Sequence, residues 1–566
     1  MGRTRRFGGK TSLAVLLIAT GSAALLACKK DPNEPSAATI ASAGVEVDDA
    51  PKAEISKTAK LGAIAMQVNV YLKPNDTSKK IGYLRLGAIV PRSDKSFGTE
   101  GCPGGWYGVG PRGFVCTGKN ATIDMEDPML KAASVRPDTT RPLPYAYGFV
   151  RAVAPLYLRL PSKEESLQSE FKLAEHLSWW DRKGHEQNGA ESGANDKAFE
   201  IIKDAPRLPP ANTLGDGILL GGKTNADPPP FWLTTGQRKI ANVSGFEVPS
   251  TSIFANRVRR HTGIAFVGAF QSGPEFMNRR FAVTADMRLL PIDKVKPETA
   301  SAFHGVELNN DVSLPVAFAR PCSPSAKGTP RPCVRTYKDE DGVLKRTNDF
   351  LPTRAFLQLT GIQRKSKNIR FLQAKDGVWV RAQDVGVAVV PTEWPQASQK
   401  GEKWVDVSIE DQTLVLWEGK KPVFATLVSS GQDGMEDPKT TKATPRGTFR
   451  VKSKHITTTM DSNERSSASG GAAPDKHAGE SPTADDKHAG QFELRDVPYV
   501  QYFHDGYALH SAYWHDHFGT ARSHGCINLA PIDALRVFRF TDPPVPDGWH
   551  GTTVDPMKGT SIVIHR

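Results

Sequence analysis

The sequence predicts a mainly β protein built from several domains. Glycine (50) and proline (42) are frequent, which favours many short strands and turns over long helices. Several segments alternate apolar and polar residues, as half-buried strands do. The 566 residues suggest three to five domains, at roughly 100–200 residues each.

Composition narrows the class of function. The chain is 39% hydrophobic and 24% charged, an ordinary globular balance. Its net charge of +12 is moderate for this length, and no Lys/Arg block dominates after the first ten residues. We therefore expect no nucleic-acid partner, and we expect the basic surface to serve solubility.

The N-terminal sequence predicts an export signal. Basic residues precede an apolar run over 12–26, which is too short to span a bilayer comfortably. The run ends in Leu-Leu-Ala before Cys28 and resembles the bacterial lipobox. This resemblance implies a signal peptide over 1–27, a lipid on Cys28 that attaches the protein to a membrane, and a periplasm-facing lipoprotein of the cell envelope. By analogy with bacterial lipoprotein sorting, Lys29 directly after the cysteine favours the outer membrane. Residues 28–57 are rich in Ala, Ser, Pro and charge, which predicts a flexible tether.

By their spacing in the sequence, the other five cysteines form two close pairs and one single residue. Cys102 and Cys116 form one close pair, and Cys322 and Cys333 form another. In an oxidising envelope such pairs predict local disulfides. Cys526 is left single, with histidines nearby, which makes it a candidate nucleophile.

A first β module is predicted over residues 58–125. Strands are expected at 68–72 and 81–85, followed by a Gly-Gly-Trp-Tyr-Gly-Val segment at 104–109. This order resembles bacterial SH3-like domains, which are small β barrels that often accompany cell-wall enzymes.

The middle of the chain is less informative. Residues 126–300 form an accessory region of unknown role, with a possible helix over 164–180. Residues 301–400 predict a second β module, possibly SH3-like, in which Asp376-Gly377 turns a hairpin.

The C-terminal region, 404–566, opens with alternating strands and a hairpin turn at 418–421. A Ser-, Ala-, Gly- and Asp-rich insert at 461–490 contains the sequence Asp-Lys-His-Ala-Gly twice. We expect this insert to be a disordered surface loop.

The residues around Cys526 suit nucleophilic catalysis. A thiol reacts as the thiolate, so it needs a nearby imidazole to take its proton. His524 is adjacent in sequence, and His510 lies upstream in Tyr-Ala-Leu-His-Ser. Gly525 permits a tight turn and a close approach of substrate to the backbone.

The ordered set of motifs resembles the L,D-transpeptidase catalytic domain, also called the YkuD domain. The resemblance covers nearly all of 404–566 apart from the insert. It includes the opening hairpin, Thr-Pro-Arg-Gly-Thr-Phe at 444–449, and Ser-His-Gly-Cys-Ile-Asn at 523–528. It implies a β-sandwich with short helices.

The resemblance also implies roles for the site residues. Cys526 would be the acylated nucleophile and His510 the general base, oriented by the backbone carbonyl of Ser511. His524 would line the site, and backbone N–H groups around Gly525 and Cys526 would form the oxyanion hole.

Two further residues, Ser523 and Asn528, would bind substrate and shape the pocket. The chain departs from the family pattern at two positions. Ser511 stands where many members have glycine, and Asn528 where many have arginine, which would alter carboxylate recognition.

The implied substrates are peptidoglycan stem peptides. Cys526 would release D-Ala and form a thioester, and an amine of a second stem would then complete a crosslink. Two alternatives stay open: a carboxypeptidase or other stem-peptide hydrolase on the same scaffold, and a non-catalytic wall-binding lipoprotein.

The resemblance calls for no cofactor and no metal. The histidines near the site suggest zinc, but the zincin signature is absent. We expect His504, His515 and His517 at the surface or in a lid.

Overall fold

Strands far outnumber helices in the described chain, and its five α-helices have ten residues or fewer. The mainly β prediction is confirmed. The computed structural model describes residues 50–184, 206–208, 229–234, 236–243, 248–249, 251–321, 334–461, 493–553, 555 and 558–566. Residues Lys52–Arg566 form one compact unit. The predicted signal peptide, Cys28, Cys322, Cys333, and nearly all of the tether and the insert lie outside the described residues. None of the described helices is long and apolar enough to cross a membrane.

The first β module forms two short sheets. One has the order β4-β1-β7, and the strands of the other follow β3-β2-β6-β5 within a larger sheet. A disulfide joins Cys102 to Cys116, the first of the two predicted pairs. It lies beside the buried ring of Trp106. The strands are β1 (Lys60–Ala63), β2 (Val68–Tyr71), β3 (Lys80–Leu84), β4 (Ile89–Pro91), β5 (Trp106–Gly108), β6 (Phe114–Cys116) and β7 (Ala121–Thr122).

The middle region adds strands and three short α-helices, and several of these elements contribute residues to the apolar core. The predicted single helix is wrong, because the chain breaks at Lys172, whose φ is +49°. Phe171, next to this break, is 85% exposed. The elements are α1 (Pro128–Ala132), β8 (Ala146–Val150), β9 (Ala154–Tyr157), α2 (Lys163–Ser169), α3 (Leu173–Trp179), β10 (Leu233–Thr234), β11 (Gln237–Arg238), β12 (Phe254–Val258), β13 (Gly263–Gln271), β14 (Arg280–Thr284), β15 (Leu289–Pro291) and β16 (Val295–Glu298).

The second β module has a sheet of its own, with the order β20-β19-β23-β22-β21-β18-β24. The predicted hairpin at Asp376-Gly377 is confirmed, and Gly377 adopts the positive φ of +86° that the turn requires. The strands are β17 (Val306–Glu307), which pairs with a strand of the C-terminal region instead, β18 (Val316–Ala319), β19 (Val334–Glu340), β20 (Val343–Leu351), β21 (Phe356–Ser366), β22 (Ile369–Ala374), β23 (Trp379–Arg381) and β24 (Val385–Ala388).

The C-terminal region packs two layers of strands and a helix around one apolar core. One layer has the order β17-β27-β26-β25-β34-β28, and the other contains β31-β30-β29-β33 with β32 beside β31. The elements are α4 (Gln396–Gln399), β25 (Lys403–Ser408), β26 (Thr413–Glu418), β27 (Lys421–Leu427), β28 (Gly447–Arg450), β29 (Ser453–Asp461), β30 (Glu493–His504), β31 (Tyr507–Ser511), β32 (Ile527–Leu529), α5 (Pro531–Phe540), β33 (Gly551–Thr553) and β34 (Ser561–His565).

Strand pairing crosses the predicted domain boundaries. β13 of the middle region pairs in parallel with β30, at Gly263 and Leu494. β3 of the first module pairs antiparallel with β33, at Gly82 and Thr552. The C-terminal strands therefore share backbone hydrogen bonding with the first module and with the middle region.

A buried carboxyl group joins helix α5 to the residue directly before β17. Asp533, in the first turn of α5, is fully buried. It accepts hydrogen bonds from the Gly305 N–H, at 2.9 Å, and from the Thr426 hydroxyl. Burial raises the pKa of Asp533 to about 7, although both hydrogen bonds lower it.

Candidate active site

Two parallel strands, β31 and β32, position His510 and the residues that follow Cys526. In the register of β31 and β32, His510 lies opposite Asn528 and Leu509 lies opposite Ile527. Partners directly opposite each other project to one face of a sheet, and side chains alternate along each strand. Cys526 directly precedes β32, two residues before Asn528, so we infer that its side chain emerges on the same face as His510.

A tight turn presents Cys526. The Gly525 N–H donates to the Ser523 hydroxyl at 3.0 Å, and that hydroxyl donates to the Cys526 carbonyl. Gly525 has a φ of +124°, and a Cβ there would lie 2.5 Å from a ring carbon of Tyr507. Both features require glycine. Because the Gly525 N–H is engaged within the turn, it is a poorer candidate for the oxyanion hole than the resemblance implied.

Two upstream segments, residues 429–431 and the Thr-Pro-Arg-Gly-Thr-Phe motif at 444–449, lie against this turn. Ser429 and Asn528 exchange backbone hydrogen bonds of 2.9 Å in both directions. The Thr444 hydroxyl donates to the Gly525 carbonyl and accepts from the Gly431 N–H, both at 2.8 Å. The spacing of these motifs in the sequence thus corresponds to one connected backbone frame around Cys526.

His510 is held as a neutral base. It is buried, and its Nδ1 lies 3.0 Å from the carbonyl oxygen of Ser511. A carbonyl only accepts hydrogen bonds, so Nδ1 carries the proton and Nε2 bears the lone pair. Burial lowers the pKa of His510 to about 4, although the bond to Ser511 raises it. The ring of Trp514 stacks on the imidazole at 5.6 Å between centroids.

Cys526 combines partial burial with local contacts. It forms no disulfide, and its Sγ lies 3.8 Å from the Gly506 carbonyl oxygen. His524 is likewise half-buried, in the same turn. Both side chains therefore retain some access to solvent, which a nucleophile and a pocket-lining residue need.

Asn528 is turned toward the interior. It is 3% exposed, and its amide nitrogen lies 2.9 Å from Nε2 of His515. The expected placement of His515 and His517 at the surface is wrong, because both are buried. The neighbouring residues could have indicated this burial, because Tyr-Trp-His-Asp-His-Phe at 513–518 is an aromatic-rich run, and such runs are usually buried. His504 is half-exposed.

Within the described residues, no group of three or more His, Cys, Asp or Glu side chains is arranged to hold a metal ion. The site therefore combines a half-buried thiol with a neutral imidazole whose tautomer is fixed.

Comparison with known proteins identifies a family for part of the chain. Residues 402–564 match the family model of YkuD, the L,D-transpeptidase catalytic domain. YciB of Bacillus subtilis (strain 168), a protein named as a candidate L,D-transpeptidase, is 37% identical over 59 residues, which are 10% of this chain and 28% of YciB.

Solved structures of L,D-transpeptidases are also similar over part of the chain. The enzyme from Stackebrandtia nassauensis is 22% identical, with a TM-score of 0.17, over 29% of this chain and 55% of that one. The enzyme from Mycobacterium smegmatis is 19% identical, with a TM-score of 0.20, over 37% and 82%. The chain thus spans about a quarter of the length of YciB and about half that of the first structure. Residues 402–564 of this protein are an L,D-transpeptidase catalytic domain of the YkuD family.

Proposed function

We propose that the protein is a peptidoglycan L,D-transpeptidase that forms crosslinks through a thioester on Cys526. The observation that carries this proposal is the contact between His510 Nδ1 and the Ser511 carbonyl oxygen. It leaves Nε2 of His510 as an acceptor on the face from which Cys526 emerges.

In the acylation step, Nε2 of His510 takes the thiol proton while Sγ of Cys526 attacks a carbonyl carbon of the donor stem peptide. The carbonyl lies between the third residue and the terminal D-Ala. The new S–C bond gives a tetrahedral oxyanion, which the backbone N–H of Cys526 would stabilise. The C–N bond then breaks, His510 returns the proton to the amine, and D-Ala leaves.

In the second step, an amine of an acceptor stem attacks the thioester. His510 takes a proton from that amine, the S–C bond breaks, and the thiol is restored. His524 lines the half-buried side of the site, and Ser523 holds the turn that presents the thiol. Asn528 would help shape the pocket through its contact with His515.

Water could replace the acceptor amine, which gives the carboxypeptidase alternative. The two reactions share every residue named above and differ in how the thioester excludes water. A non-catalytic wall-binding protein is the third possibility. The fixed tautomer of His510 disfavours it, because a vestigial site has no need for a base.

Mass spectrometry of a purified disaccharide-tetrapeptide after incubation with residues 29–566 tests the proposal. We expect crosslinked dimers that have lost D-Ala with the wild type, and none with Cys526→Ala. Cys526→Ser is the matched control, because it keeps the shape but replaces the thiol with a far weaker nucleophile. Tripeptide without dimer would support the carboxypeptidase, and equal products from wild type and Cys526→Ala would exclude Cys526 as the nucleophile.

The lipid anchor belongs to the same proposal, because stem peptides lie in the cell envelope. We expect the wild-type protein to fractionate with outer membranes and Cys28→Ala to be released. Equal partition of the two proteins would contradict lipidation at Cys28.

A further inference from the structure

The segment between the base and the nucleophile is unusually buried for a loop. Residues 512–522, which we name the bridging segment, run from the end of β31 to the turn that carries Cys526. Every residue from Ser511 to Gly519 is buried. A buried loop cannot leave its polar groups to water, so it needs partners from the surrounding protein.

A charged residue lies at the centre of the bridging segment. The Asp516 side chain is fully buried, and two arginines from outside the catalytic domain approach it. Nη2 of Arg354 lies 3.8 Å from Asp516 Oδ2, and Nη1 of Arg207 lies 3.9 Å from the same atom. The Nη1 of Arg354 also donates to the backbone carbonyl of Asp516 and to the Ser301 hydroxyl, the latter at 3.2 Å.

Arg354 belongs to the second β module, in the turn between β20 and β21. Its side chain is 5% exposed, and its backbone N–H donates to the Ala319 carbonyl at 2.8 Å. Its guanidinium lies 5.3 Å from the ring centre of Phe303, which stacks on Phe518 of the bridging segment at 6.1 Å. The arginine is therefore fixed by its own module on one side and by the bridging segment on the other.

The bridging segment touches the active site directly. His515 contacts Asn528, which lies opposite His510 in the register of the two strands. The Ser429 hydroxyl donates to the carbonyl of His517 at 3.2 Å, and Ser429 pairs with Asn528. A shift of the bridging segment would therefore move residues on both sides of the catalytic pair.

The charge of Arg354 also acts on this segment. Burial lowers the pKa of His517 to about 3, with Arg522 and Arg354 lowering it further. The same arginines, with burial as the largest cause, hold the pKa of His515 well below its usual range. Both imidazoles are thus neutral, so the Nδ1 of His517 can accept a hydrogen bond from Arg522, 3.3 Å away.

We propose that Arg354 of the second β module is a positioning residue for the active site: through Asp516 it fixes the bridging segment and thereby the placement of Cys526 relative to His510. The inference rests on the proposed function only in taking Cys526 as the reacting group. It gives the second module a task in catalysis, performed across a module boundary.

The test measures the thiol itself. Alkylation of Cys526 by iodoacetamide is followed against pH for the wild type, Arg354→Met and Arg354→Lys. The control is Arg364→Met, which removes an arginine of the same module that pairs with Asp339 at the surface. Thermal unfolding is recorded for each protein, together with kcat and KM on the disaccharide-tetrapeptide.

We expect Arg354→Met to slow alkylation at pH 7 by ~10- to 100-fold, the loss typical of a misplaced catalytic pair. Its pH profile should also differ from that of the wild type, because the position of the imidazole relative to the thiol sets how readily the thiolate forms. We expect kcat to fall by a similar factor with a smaller change in KM. Arg354→Lys should be intermediate, because lysine keeps the charge but not the planar fork, and Arg364→Met should match the wild type.

A lower unfolding temperature with a wild-type alkylation profile would overturn the proposal, because it would show a purely structural role. If Arg354→Met does not fold, the double variant Arg354→Met with Asp516→Leu decides, since it leaves no unpaired charge in the interior. Altered alkylation in the folded double variant supports positioning, and a wild-type profile refutes it. Absence of crosslinked product from every protein would count against the proposed function alone, because alkylation does not depend on it.

Discussion

Replacing Asp533 with asparagine is expected to stabilise the protein at pH 8 and to remove part of its pH dependence. Asp533 is fully buried and accepts from the Gly305 N–H and the Thr426 hydroxyl. Asparagine fits the same space, and its carbonyl can still accept from Gly305. Its NH₂ group can donate to the Thr426 hydroxyl, which can turn toward the Leu427 carbonyl, 3.4 Å away.

The magnitude follows from linkage. The pKa of Asp533 rises from 3.8 to about 7 in the folded protein, so between these values the folded state holds a proton that the unfolded state has lost. Raising the pH therefore favours unfolding, and the loss is complete above pH 7. At ~1.36 kcal/mol per pH unit, the roughly three units amount to about 4 kcal/mol. Rearranging the Thr426 hydrogen bond costs the variant about 1 kcal/mol. The free energy of unfolding of Asp533→Asn should therefore exceed that of the wild type by about 3 kcal/mol at pH 8.

Thermal unfolding at pH 5 and pH 8 measures this effect. The part of the loss that remains between pH 5 and pH 7 covers about two pH units, so the wild type should lose about 3 kcal/mol that Asp533→Asn does not lose. Asp547→Asn is the matched control, because Asp547 is exposed in the same region. If the wild type and Asp533→Asn lost stability equally between the two pH values, the buried carboxylate would not be the cause.

Three other perturbations test the site and the first module. Gly525→Ala should reduce crosslinking by at least ~100-fold, because the turn needs a positive φ and the new methyl group would collide with an aromatic ring; wild-type kcat in this variant would contradict the turn geometry. Because the pKa of His510 is lowered to about 4, its base form should persist as the pH falls, so kcat/KM should not show a loss centred near pH ~6.5, and such a loss would refute a neutral buried base. Replacing Cys102 and Cys116 with serine should cost about 3 kcal/mol in the unfolding free energy, for a closed loop of this length, as measured by denaturant unfolding, and an unchanged midpoint would show that the disulfide does not limit stability.

The local parts of the structure could be predicted because they depend on short-range chemistry. The turn at Gly377 needs a residue that tolerates positive φ, and the sequence shows it. The sequence motif around Cys526 likewise contains the glycine that its turn requires. Such features need only a few neighbouring residues, so a sequence pattern is enough to find them.

The remaining features depend on tertiary contacts that no local pattern encodes. Burial, and to a lesser extent Arg354 of the second β module, lowers the pKa of both His515 and His517, and this arginine is far from them in the sequence. The helix expected over 164–180 has good periodicity, but the chain turns at Lys172 and leaves Phe171 in solvent. The interaction of Asp516 with Arg354 spans 162 residues of sequence, and neither residue suggests its partner.

The strand pairing between regions bears on how the catalytic domain can be isolated. Cutting the chain before residue 402 would strip β13 from β30 at Leu494 and β3 from β33 at Thr552. The unpaired N–H and C=O groups would then form open sheet edges, which are templates for association between molecules. We therefore expect a 402–566 fragment to aggregate under conditions in which the longer chain stays dispersed. In that case the segments that precede the catalytic domain protect it against aggregation, in addition to any binding role.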